Sequence, residues 1–320
     1  MKILIVKTSS MGDVVHALPV AYDIKQHYSN CQLDWIVEES FRDIPKLSPF
    51  VDQVKLTAFR RWRKEPLSAR TRSEVSALKT QLEHEQYDLV LDIQGLLRSA
   101  WVARWTKSPR LIGYSFNTVR ERLASFFYGE HLPLSEDMGA VRRYRAAAGL
   151  ALDYVVDSTI RFSLQAKEHP SIEPPFPYVA LAVNTSRDSK LWPEDNWVLL
   201  SERLYRCGLG TILFWGNGKE KERVERLAQR MPQALIAPRT GLASTASALQ
   251  RAQGLVGVDT GLSHLGAALG RPSVGIFVST SIDRLQLIGD GPVASLGGIG
   301  QCPDIEAVWS AFQKVMGDKL

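Results

Sequence analysis

Cysteine is scarce in this chain, and its placement excludes two kinds of stabilising site. The sequence holds three cysteines, Cys31, Cys207 and Cys302, and none belongs to a Cys-x-x-Cys pair. An odd number of distant thiols predicts neither a disulfide framework nor a zinc site, and it suits a reducing cytosol. Long apolar runs are missing as well. The run at residues 3–6 is too short for a signal-peptide core, and no stretch approaches the ~20 residues of a membrane span.

Several nucleotide-site motifs are absent too. There is no Gly-x-Gly-x-x-Gly to support a nicotinamide Rossmann site, and no Gly-x-x-x-x-Gly-Lys-Ser/Thr, which excludes a P-loop NTPase. No two aspartates form an Asp-x-Asp pair, the usual carboxylate clamp for a metal-bound nucleotide sugar. His16 and His264 stand apart, without the His-x-x-x-His spacing that zinc uses. We therefore expect neither a metal ion nor a bound cofactor.

The overall composition is that of a globular protein with about two domains. The chain has 320 residues, of which 45% are hydrophobic and 23% charged, enough for a large core. Its formal net charge of +5 favours an anionic partner, such as a phosphorylated substrate, a nucleic acid or an anionic membrane face. So small an excess is equally compatible with a solvated surface that has no partner.

Short apolar runs alternate with amphipathic segments along most of the chain. The runs are typical of strands buried in a parallel sheet, and the segments between them have helical spacing. Strands are predicted at residues 3–6, 33–37, 54–56, 89–93, 111–112, 178–183, 211–214, 235–236, 254–258 and 273–277. Helices are predicted at residues 13–28, 69–85, 96–105, 118–128, 140–150, 196–205, 219–230, 242–251 and 305–315. This alternation predicts an α/β protein made of two doubly wound, Rossmann-like domains.

Four prolines at residues 169–177 interrupt the alternation. Such a segment is typical of an extended, semi-rigid linker. We predict an N-terminal domain at residues 1–168, a Pro-rich linker at 169–177 and a C-terminal domain at 178–304. A ligand cleft between two such domains is the default expectation.

One stretch, from Gly257 to Leu265, lies where a predicted strand turns into a helix. In an open α/β sheet a binding crevice forms at this place, and the free N–H groups and dipole of the helix attract an anion. Gly261 lets that anion approach the backbone closely. Asp259 and Thr260 are also good N-cap residues, so a plain helix cap is the competing interpretation.

A second stretch, from Lys7 to His16, follows the first predicted strand. Gly12 permits a tight turn there, and Asp13 lies at or near the start of the following helix. Asp13 is therefore either a helix cap or a base that can take a proton from an alcohol.

A basic loop follows the third predicted strand. Its charged residues surround Trp62 and are Arg60, Arg61, Arg63 and Lys64. Clustered arginine suits carboxylate or phosphate groups, although a solvated basic loop is the usual alternative. Because the cluster is confined to one loop, extended nucleic-acid binding is not expected.

Two further polar loops follow strands of the second domain. The loop from Asn184 to Pro193 offers hydroxyls and Lys190, which can hold a diphosphate. The loop from Trp215 leads to Glu220, whose carboxylate can accept hydrogen bonds from a ribose. Each loop also has a structural interpretation, as a polar turn or as an acid in the first turn of a helix.

Together these residues resemble those of the heptosyltransferases of lipopolysaccharide core synthesis, over essentially the whole chain. The resemblance is carried by Lys7 to His16, Arg60 to Lys64, Asp92 to Leu96, Arg120 to Tyr128, Lys190 to Glu194 and Val258 to Leu265. It implies a GT-B fold, with a cleft between two Rossmann-like domains and a last helix, about residues 305–320, that packs back onto the first domain. It also implies an inverting, metal-independent transfer of L-glycero-D-manno-heptose from ADP-L-glycero-β-D-manno-heptose to the first Kdo residue of Kdo2-lipid A.

The same resemblance places the catalytic base at Asp13. The positions it implies for binding ADP-heptose are Thr185, Ser186, Lys190, Glu220, Thr240, Asp259, Thr260, Gly261 and His264. Thr240 stands where the family often has methionine. Positions that bind the acceptor are predicted at Ser10, Arg60, Arg61, Arg63, Lys64 and Arg120.

The implied acceptor also predicts where the protein works. Because Kdo2-lipid A is a membrane lipid, we expect a cytoplasmic protein that binds the anionic, cytoplasmic face of the inner membrane peripherally. No nucleic-acid partner is expected. Two alternatives stay open: a later core heptosyltransferase of the same family, and a nucleotide-binding module without transferase activity.

Overall fold

The computed structural model describes the backbone of residues 1–320 and every side chain except those of Asp283, Arg284 and Lys319. The chain forms two compact units, Met1–Thr159 and Ile160–Leu320. Each unit contains one six-stranded parallel sheet, which confirms the predicted α/β class with two Rossmann-like domains. In the described part of the chain, no helix has the length and apolar character needed to cross a membrane.

The first unit has a sheet with a reversal of strand order near its centre. Its strands are β1 (Lys2–Val6), β2 (Gln32–Glu38), β3 (Gln53–Thr57), β4 (Leu89–Asp92), β5 (Leu111–Tyr114) and β6 (Glu130–Leu132). Its helices are α1 (Met11–Ala17), α2 (Pro19–His27), α3 (Asp43–Lys46), α4 (Phe59–Trp62), α5 (Ala69–His84), α6 (Leu97–Arg104) and α7 (Ala140–Leu152). The strand order is β3-β2-β1-β4-β5-β6. A ligand crevice is therefore expected at the carboxyl ends of β1 and β4, where the direction of the crossovers reverses.

Strand β1 forms because its residues are apolar without alternation. Ile3, Leu4, Ile5 and Val6 have no exposed surface, so the strand is covered on both faces. It pairs in parallel with β2 on one side and β4 on the other. The loop that follows β1 is thereby held at the centre of the sheet.

Two predicted helices of the first unit differ in the structure. The helix predicted at residues 13–28 is divided, because Pro19 has no N–H to donate and begins a new helix, α2. The helix predicted at residues 118–128 is reduced to a short 3₁₀ helix, Arg122–Phe127. Tyr128 packs its ring on Gly113 of β5, where any side chain would collide with it, and this anchor turns the chain into β6.

The second unit repeats the architecture. Its strands are β7 (Tyr178–Ala182), β8 (Gly210–Leu213), β9 (Ala234–Ile236), β10 (Gly254–Val258), β11 (Ser273–Phe277) and β12 (Val293–Gly297). Its helices are α8 (Glu194–Arg206), α9 (Gly218–Ala228), α10 (Leu242–Arg251), α11 (Gly261–Ala268), α12 (Ile282–Leu285) and α13 (Ile305–Met316). The strand order is β12-β11-β10-β7-β8-β9, so the order reverses between β7 and β10. Their carboxyl ends are the corresponding place for a ligand.

The structure corrects the predicted boundary between the domains. Residues 160–177, predicted as the end of the first domain and a linker, belong to the second unit. Phe162 is buried there, and its N–H donates to Asp290 at 2.9 Å. Ser247 of α10 donates to the carbonyl of Glu168 at 2.6 Å. The prolines keep this segment extended, but hydrogen bonds fix it to the second unit.

The last helix, α13, packs within the second unit. Its buried residues are Val308, Phe312, Val315 and Met316, and they belong to the core of the second unit. The helix packs on β11 and β12. Gly254 of β10 leaves room for it, because a side chain there would begin 2.9 Å from the Met316 sulfur and 3.0 Å from the Phe312 ring. Helix α13 therefore belongs to the core of the second unit, and its packing onto the first domain stays a prediction.

Candidate active site

A buried carboxylate organises the switch point of the first unit. Asp92, the last residue of β4, is fully buried. It accepts hydrogen bonds from the N–H groups of Gln94 and Gly95, at 2.8 and 3.2 Å. The hydroxyls of Ser99 and Tyr128 donate to it at 2.8 and 2.9 Å. Burial raises the pKa of Asp92, and the four donors oppose that rise. The carboxylate thus fixes the turn that carries Gln94.

Gln94 in turn fixes the loop that follows β1. Its side-chain oxygen accepts the N–H groups of Thr8 and Ser9 at 3.0 and 2.9 Å. Arg98, in the first turn of α6, donates to the hydroxyl of Ser9 at 3.2 Å. The start of α1 is therefore held to the neighbouring strand by side chains, which gives Asp13 a defined position.

Asp13 is the third residue of α1, and Ser10 is the N-cap. The N–H and the hydroxyl of Ser10 both donate to Oδ2 of Asp13, at 3.0 and 2.6 Å. Ser10, which was predicted to bind the acceptor, thus forms a capping box with Asp13, so Oδ2 of Asp13 has a structural role at the helix start. The other oxygen, Oδ1, has a longer contact of 3.5 Å with the hydroxyl of Tyr144. Tyr144 therefore approaches the Asp13 carboxylate on the side of Oδ1.

A buried lysine keeps Asp13 ionised. Burial tends to raise the pKa of Asp13, but the charge of Lys7 and the hydrogen bonds from Ser10 outweigh it and hold the pKa below its usual value. Lys7 donates to the Tyr144 hydroxyl at 2.8 Å. Burial raises the pKa of Tyr144 well above its usual value, so the phenol stays neutral. At neutral pH the group contains one carboxylate, one ammonium and one phenol.

The burial of Lys7 predicts a pH dependence of stability. Burial lowers the pKa of Lys7 from 10.5 to about 8, with smaller effects of Arg120 and Arg143 in the same direction and of Asp13 and Asp92 in the other. Between about pH 8 and pH 10.5, Lys7 is protonated in the unfolded chain and largely neutral in the folded chain. The unfolded chain therefore binds more protons at this site, so the stability of the folded protein rises with pH. Relative to a Lys7→Met variant, the free energy of unfolding should rise by at most ~1.4 kcal/mol per pH unit in that window.

Urea unfolding of both proteins from about pH 7 to about pH 10.5 measures the difference. Taking the difference cancels the titration of groups that both proteins share. A difference that stays constant across this range would show that the ammonium of Lys7 is not desolvated in the folded protein.

Acidic side chains hold the basic loop, residues 60–64, in place. Glu38 accepts the N–H groups of Phe59 and Arg60, both at 3.0 Å, at the start of α4. Arg61 pairs with Glu39 at 2.9 Å and with Glu74 at 2.8 Å. Its predicted role in acceptor binding therefore competes with two ion pairs, which hold α4 to the segment after β2 through Glu39 and to α5 through Glu74. Its pKa is raised by those two carboxylates, so it remains charged.

The remaining arginines of this region surround a cavity of about 680 Å³ in the first unit. Its lining contains Phe59, Arg60, Trp62, Arg63, Pro66, Thr71, Arg72, Val75, Arg98 and Trp101. Arg98 lies over the ring of Phe59, 5.5 Å from its centroid, and also donates to Ser9. One side chain thus joins this cavity, which we call the arginine cavity, to the loop that carries Asp13. Lys64 and Arg120 are exposed.

The corresponding switch point of the second unit is organised by Asp259, which follows β10 and is buried. Its Oδ2 accepts Lys190 Nζ at 2.5 Å and the Thr280 hydroxyl at 2.8 Å. His264 Nε2 lies 3.5 Å from Oδ1. Burial opposes ionisation, but these three partners outweigh it and hold the pKa of Asp259 well below its usual range. The Thr185 hydroxyl donates to the Asp259 carbonyl at 3.0 Å and so ties the loop after β7 to the loop after β10.

Helix α11 begins directly after this carboxylate. Thr260 is its N-cap and Gly261 its first residue. The Ser263 hydroxyl donates to the carbonyl of Val258 at 2.7 Å, which fixes the helix start on β10. The first turn of α11 therefore presents free N–H groups beside a lysine, an arrangement that favours a phosphate anion.

The other predicted donor-binding residues lie on loops after β7, β8 and β9. Glu220 is in the first turn of α9, whose N-cap is Asn217, and its Oε2 accepts the Gly216 N–H at 2.7 Å. The structural interpretation of Glu220, an acid in the first turn of a helix, therefore holds. Ser186 and Thr240 are exposed. All three loops lie at the carboxyl edge of one parallel sheet, where a nucleotide would bind.

Sequence reasoning missed several residues of both regions. Tyr144 contacts Lys7 and Asp13 from helix α7, and Thr280 binds Asp259 from the loop after β11. Thr280 follows the predicted strand at residues 273–277, which is the neighbour of the strand that precedes Asp259. Its hydroxyl could therefore have been included from its place after that strand. Nothing in the local sequence around Tyr144 marks it as a residue of the site. Among the described side chains, no three histidine, cysteine or acidic residues converge as metal ligands would.

Known proteins match this chain over most of its length. The family model described as glycosyltransferase family 9 (heptosyltransferase) matches residues 75–311. Lipopolysaccharide heptosyltransferase 1 of Salmonella typhimurium is 39% identical over 317 residues, covering 98% of this chain and 100% of that protein. The protein of the same name from Pseudomonas aeruginosa is 39% identical over 282 residues, covering 88% of this chain and 79% of that protein. The solved structure of E. coli heptosyltransferase WaaC with ADP has a TM-score of 0.89 and 34% identity, covering 98% of this chain and 99% of that chain.

Proposed function

Because this chain belongs to glycosyltransferase family 9, the heptosyltransferases, we propose that it transfers L-glycero-D-manno-heptose from ADP-L-glycero-β-D-manno-heptose to the first Kdo residue of Kdo2-lipid A. Relatives named lipopolysaccharide heptosyltransferase 1, one of them matched over its full length, favour this acceptor over those of later core enzymes. The observation that carries the proposal is the ionised Asp13, which Arg98 connects to the arginine cavity.

Asp13 would act as the catalytic base of an inverting displacement. The Kdo hydroxyl oxygen forms a bond to the anomeric carbon of heptose as the bond from that carbon to the diphosphate breaks on the opposite face. The hydroxyl proton passes to Oδ1 of Asp13, and ADP leaves with the bonding electrons. Because Lys7 keeps the pKa of Asp13 low, the carboxylate is fully ionised at neutral pH. Proton transfer to so weak a base is expected late, when the new C–O bond has made the hydroxyl acidic.

The acceptor would bind in the arginine cavity. Arg60, Arg63, Arg72 and Arg98 line it, and none of them is needed for the ion pairs that hold α4, which Arg61 forms. Guanidinium groups bind carboxylate and phosphate in a bidentate manner, and Kdo2-lipid A offers both. We assign Arg61 a positioning role, while Ser10, Lys64 and Arg120 stay candidate contacts of the acceptor near Asp13.

The donor would bind at the carboxyl edge of the second sheet. The diphosphate is proposed to lie at the first turn of α11, near Thr260, Gly261 and Lys190, with Thr185, Ser186 and His264 beside it. Oε1 of Glu220 is proposed to accept a hydrogen bond from a ribose hydroxyl. Thr240 is proposed to lie near the adenine of ADP. The negative charge of departing ADP would be stabilised by the helix N-terminus and Lys190, so no metal ion is proposed to take part.

The proposed acceptor places the protein at a membrane. We propose a cytoplasmic protein that binds the anionic, cytoplasmic face of the inner membrane peripherally, in agreement with its net charge of +5. No nucleic acid is proposed as a partner, because the basic cluster at Arg60 to Lys64 is confined to one loop.

A transfer assay with ADP-heptose and Kdo2-lipid A tests the proposed reaction directly. We expect a product that is heavier by one heptose. Transfer only to an acceptor that already carries heptose would identify a later core enzyme. Binding of NAD in place of ADP in a titration would contradict the assignment of the donor site.

The arginine cavity predicts a selective loss of acceptor binding. A variant with Arg60→Ala and Arg63→Ala should raise the KM for Kdo2-lipid A, because each charge-assisted contact contributes about 1.5–3 kcal/mol. The KM for ADP-heptose should stay nearly unchanged. Arg110→Ala, which removes an exposed arginine paired with Glu130 in the same unit, is the matched control. If the double variant raised only the KM for ADP-heptose, the cavity would have been assigned to the wrong substrate.

A further inference from the structure

Helix α6 and the 3₁₀ helix Arg122–Phe127 carry large apolar side chains on the outside of the first unit. Trp101 is 49% exposed, Leu123 61% and Phe126 75%. Leu97 and Phe116 are exposed as well. We call these five residues the α6 patch. Trp101 also lines the arginine cavity, but neither the proposed active site nor the arrangement of the sheets explains why the other four face outward.

The segments that carry the α6 patch pack against one another. Helix α6 packs against the 3₁₀ helix, and the N–H of Leu97 donates to Glu121 at 2.7 Å. The rings of Phe116 and Phe126 meet edge to face, with their centroids 5.8 Å apart. Leu97 and Trp101 lie one turn apart on α6 and therefore share a face. The exposed apolar groups of the patch thus lie on neighbouring segments of the chain.

The core does not require this surface. The inner face of α6 is covered by Ala100, Val102 and Ala103, which are buried, and that of the 3₁₀ helix by Ala124. Small residues face the core while the large ones face outward, which is the reverse of ordinary burial. Contiguous apolar patches of this kind mark interaction sites.

Positive charge surrounds the α6 patch. Arg98, Arg104, Arg120 and Arg122 are all exposed on the same helices or next to them. Arg122 lies over the Phe116 ring, 5.6 Å from its centroid, so its charge is at the edge of the apolar surface. The adjacent carboxylate, Glu121, is engaged by the Leu97 N–H. An apolar centre with a cationic rim complements a surface that is apolar inside and anionic outside.

We propose that the α6 patch docks the protein on an anionic phospholipid bilayer. Leu123, Phe126 and Trp101 enter the boundary between headgroups and acyl chains, and the arginines contact the lipid phosphates. This inference rests on the proposed function in that a lipid acceptor must be reached in its membrane. Trp101 and Arg98 also line the arginine cavity, so the docking surface and the proposed acceptor site are continuous.

The charge of the rim argues against a second copy of this chain as the occupant. Two copies that met through the α6 patch would bring four arginines of one copy close to four of the other, and like charges in contact are repelled. A bilayer that contains phosphatidylglycerol offers a phosphate for each arginine instead.

Binding to vesicles tests the proposal. The full chain is sedimented with vesicles of phosphatidylethanolamine and phosphatidylglycerol, and with vesicles of phosphatidylcholine alone. A Leu123→Ser, Phe126→Ser variant should bind the anionic vesicles at least about tenfold more weakly, because two apolar insertions are lost. The control is a Leu150→Ser, Val155→Ser variant, which changes two exposed apolar residues of the same unit outside the patch. Binding by the wild type should also weaken at about 1 M salt, where the Debye length is ~3 Å.

The outcomes separate this proposal from the proposed reaction. Transfer to a deacylated, water-soluble Kdo acceptor should be the same in both variants and the wild type, whereas transfer to Kdo2-lipid A in vesicles should fall only in the patch variant. Equal vesicle binding by both variants would overturn the docking proposal. A change in oligomeric state confined to the patch variant would overturn it in favour of self-association. Absence of any transfer by the wild type would contradict the proposed reaction and leave the vesicle result to decide the docking proposal.

Discussion

The Asp13→Asn variant is expected to lose roughly 10²–10⁴-fold in kcat while it keeps its affinity for ADP-heptose. Asparagine has nearly the shape of aspartate, and its amide oxygen can still accept the hydrogen bonds that Ser10 donates at 3.0 and 2.6 Å. The cap of α1 should therefore survive, and the loss should be chemical. Rates at saturating donor, together with ADP titration, separate turnover from binding.

Ser10→Ala is the matched control for this experiment. It removes the hydroxyl hydrogen bond that helps to lower the pKa of Asp13 but keeps the carboxylate. The acid limb of its kcat–pH profile should move to higher pH, with a much smaller loss of kcat. Turnover near that of the wild type in Asp13→Asn would remove Asp13 from the mechanism.

The Lys190→Ala variant is expected to bind ADP-heptose roughly 100-fold more weakly. Lys190 forms an ion pair of 2.5 Å with the buried Asp259. Without it, the Asp259 carboxylate would repel the diphosphate, and the direct attraction of the ammonium would also be lost.

Because the proposed stabilisation of ADP uses no metal, wild-type activity should persist in excess EDTA. Loss in EDTA that Mg²⁺ restores would contradict the proposal.

A double variant separates the two roles of Lys190. If Lys190 only neutralises Asp259, the combination of Lys190→Ala with Asp259→Asn should recover ADP affinity. If Lys190 also contacts the diphosphate, affinity should stay low, and this is the result we expect. A double-mutant cycle measured by ADP titration gives the coupling between the two side chains directly.

The central strands could be predicted because they are buried on both faces. Residues 254–258 and 273–277 were predicted with the observed bounds, since both runs are apolar and end at polar loops. Two of the four edge strands, β6 and β12, were missed for the opposite reason. β6 is three residues long and mostly exposed, and every residue of β12 is partly exposed. An edge strand has a neighbouring strand on one side only and is more exposed. Its sequence is therefore less apolar and harder to recognise as a strand.

The loops of the site were predictable, but their pairings were not. Asp13 and Asp259 follow strand ends, where ligands bind in this fold class, and local sequence marks such places. Tyr144 lies 131 residues from Asp13 in the chain, and only the packing of α7 on α1 joins them. Arg61 was grouped with Arg60 and Arg63 by sequence, yet its partners Glu39 and Glu74 lie on other elements. Local sequence does not show which charge a neighbouring element will neutralise.

The unit boundary between Thr159 and Ile160 has a consequence for recombination. Every strand of the first sheet precedes this point and every strand of the second follows it, so each unit is continuous in sequence. A chimera spliced here would take all strand pairs of each sheet from a single parent. It would also keep α13 with the sheet on which it packs. We therefore expect that the proposed acceptor-binding and donor-binding units of different relatives can be exchanged at one crossover, so that each specificity can be assayed in a separate chimera.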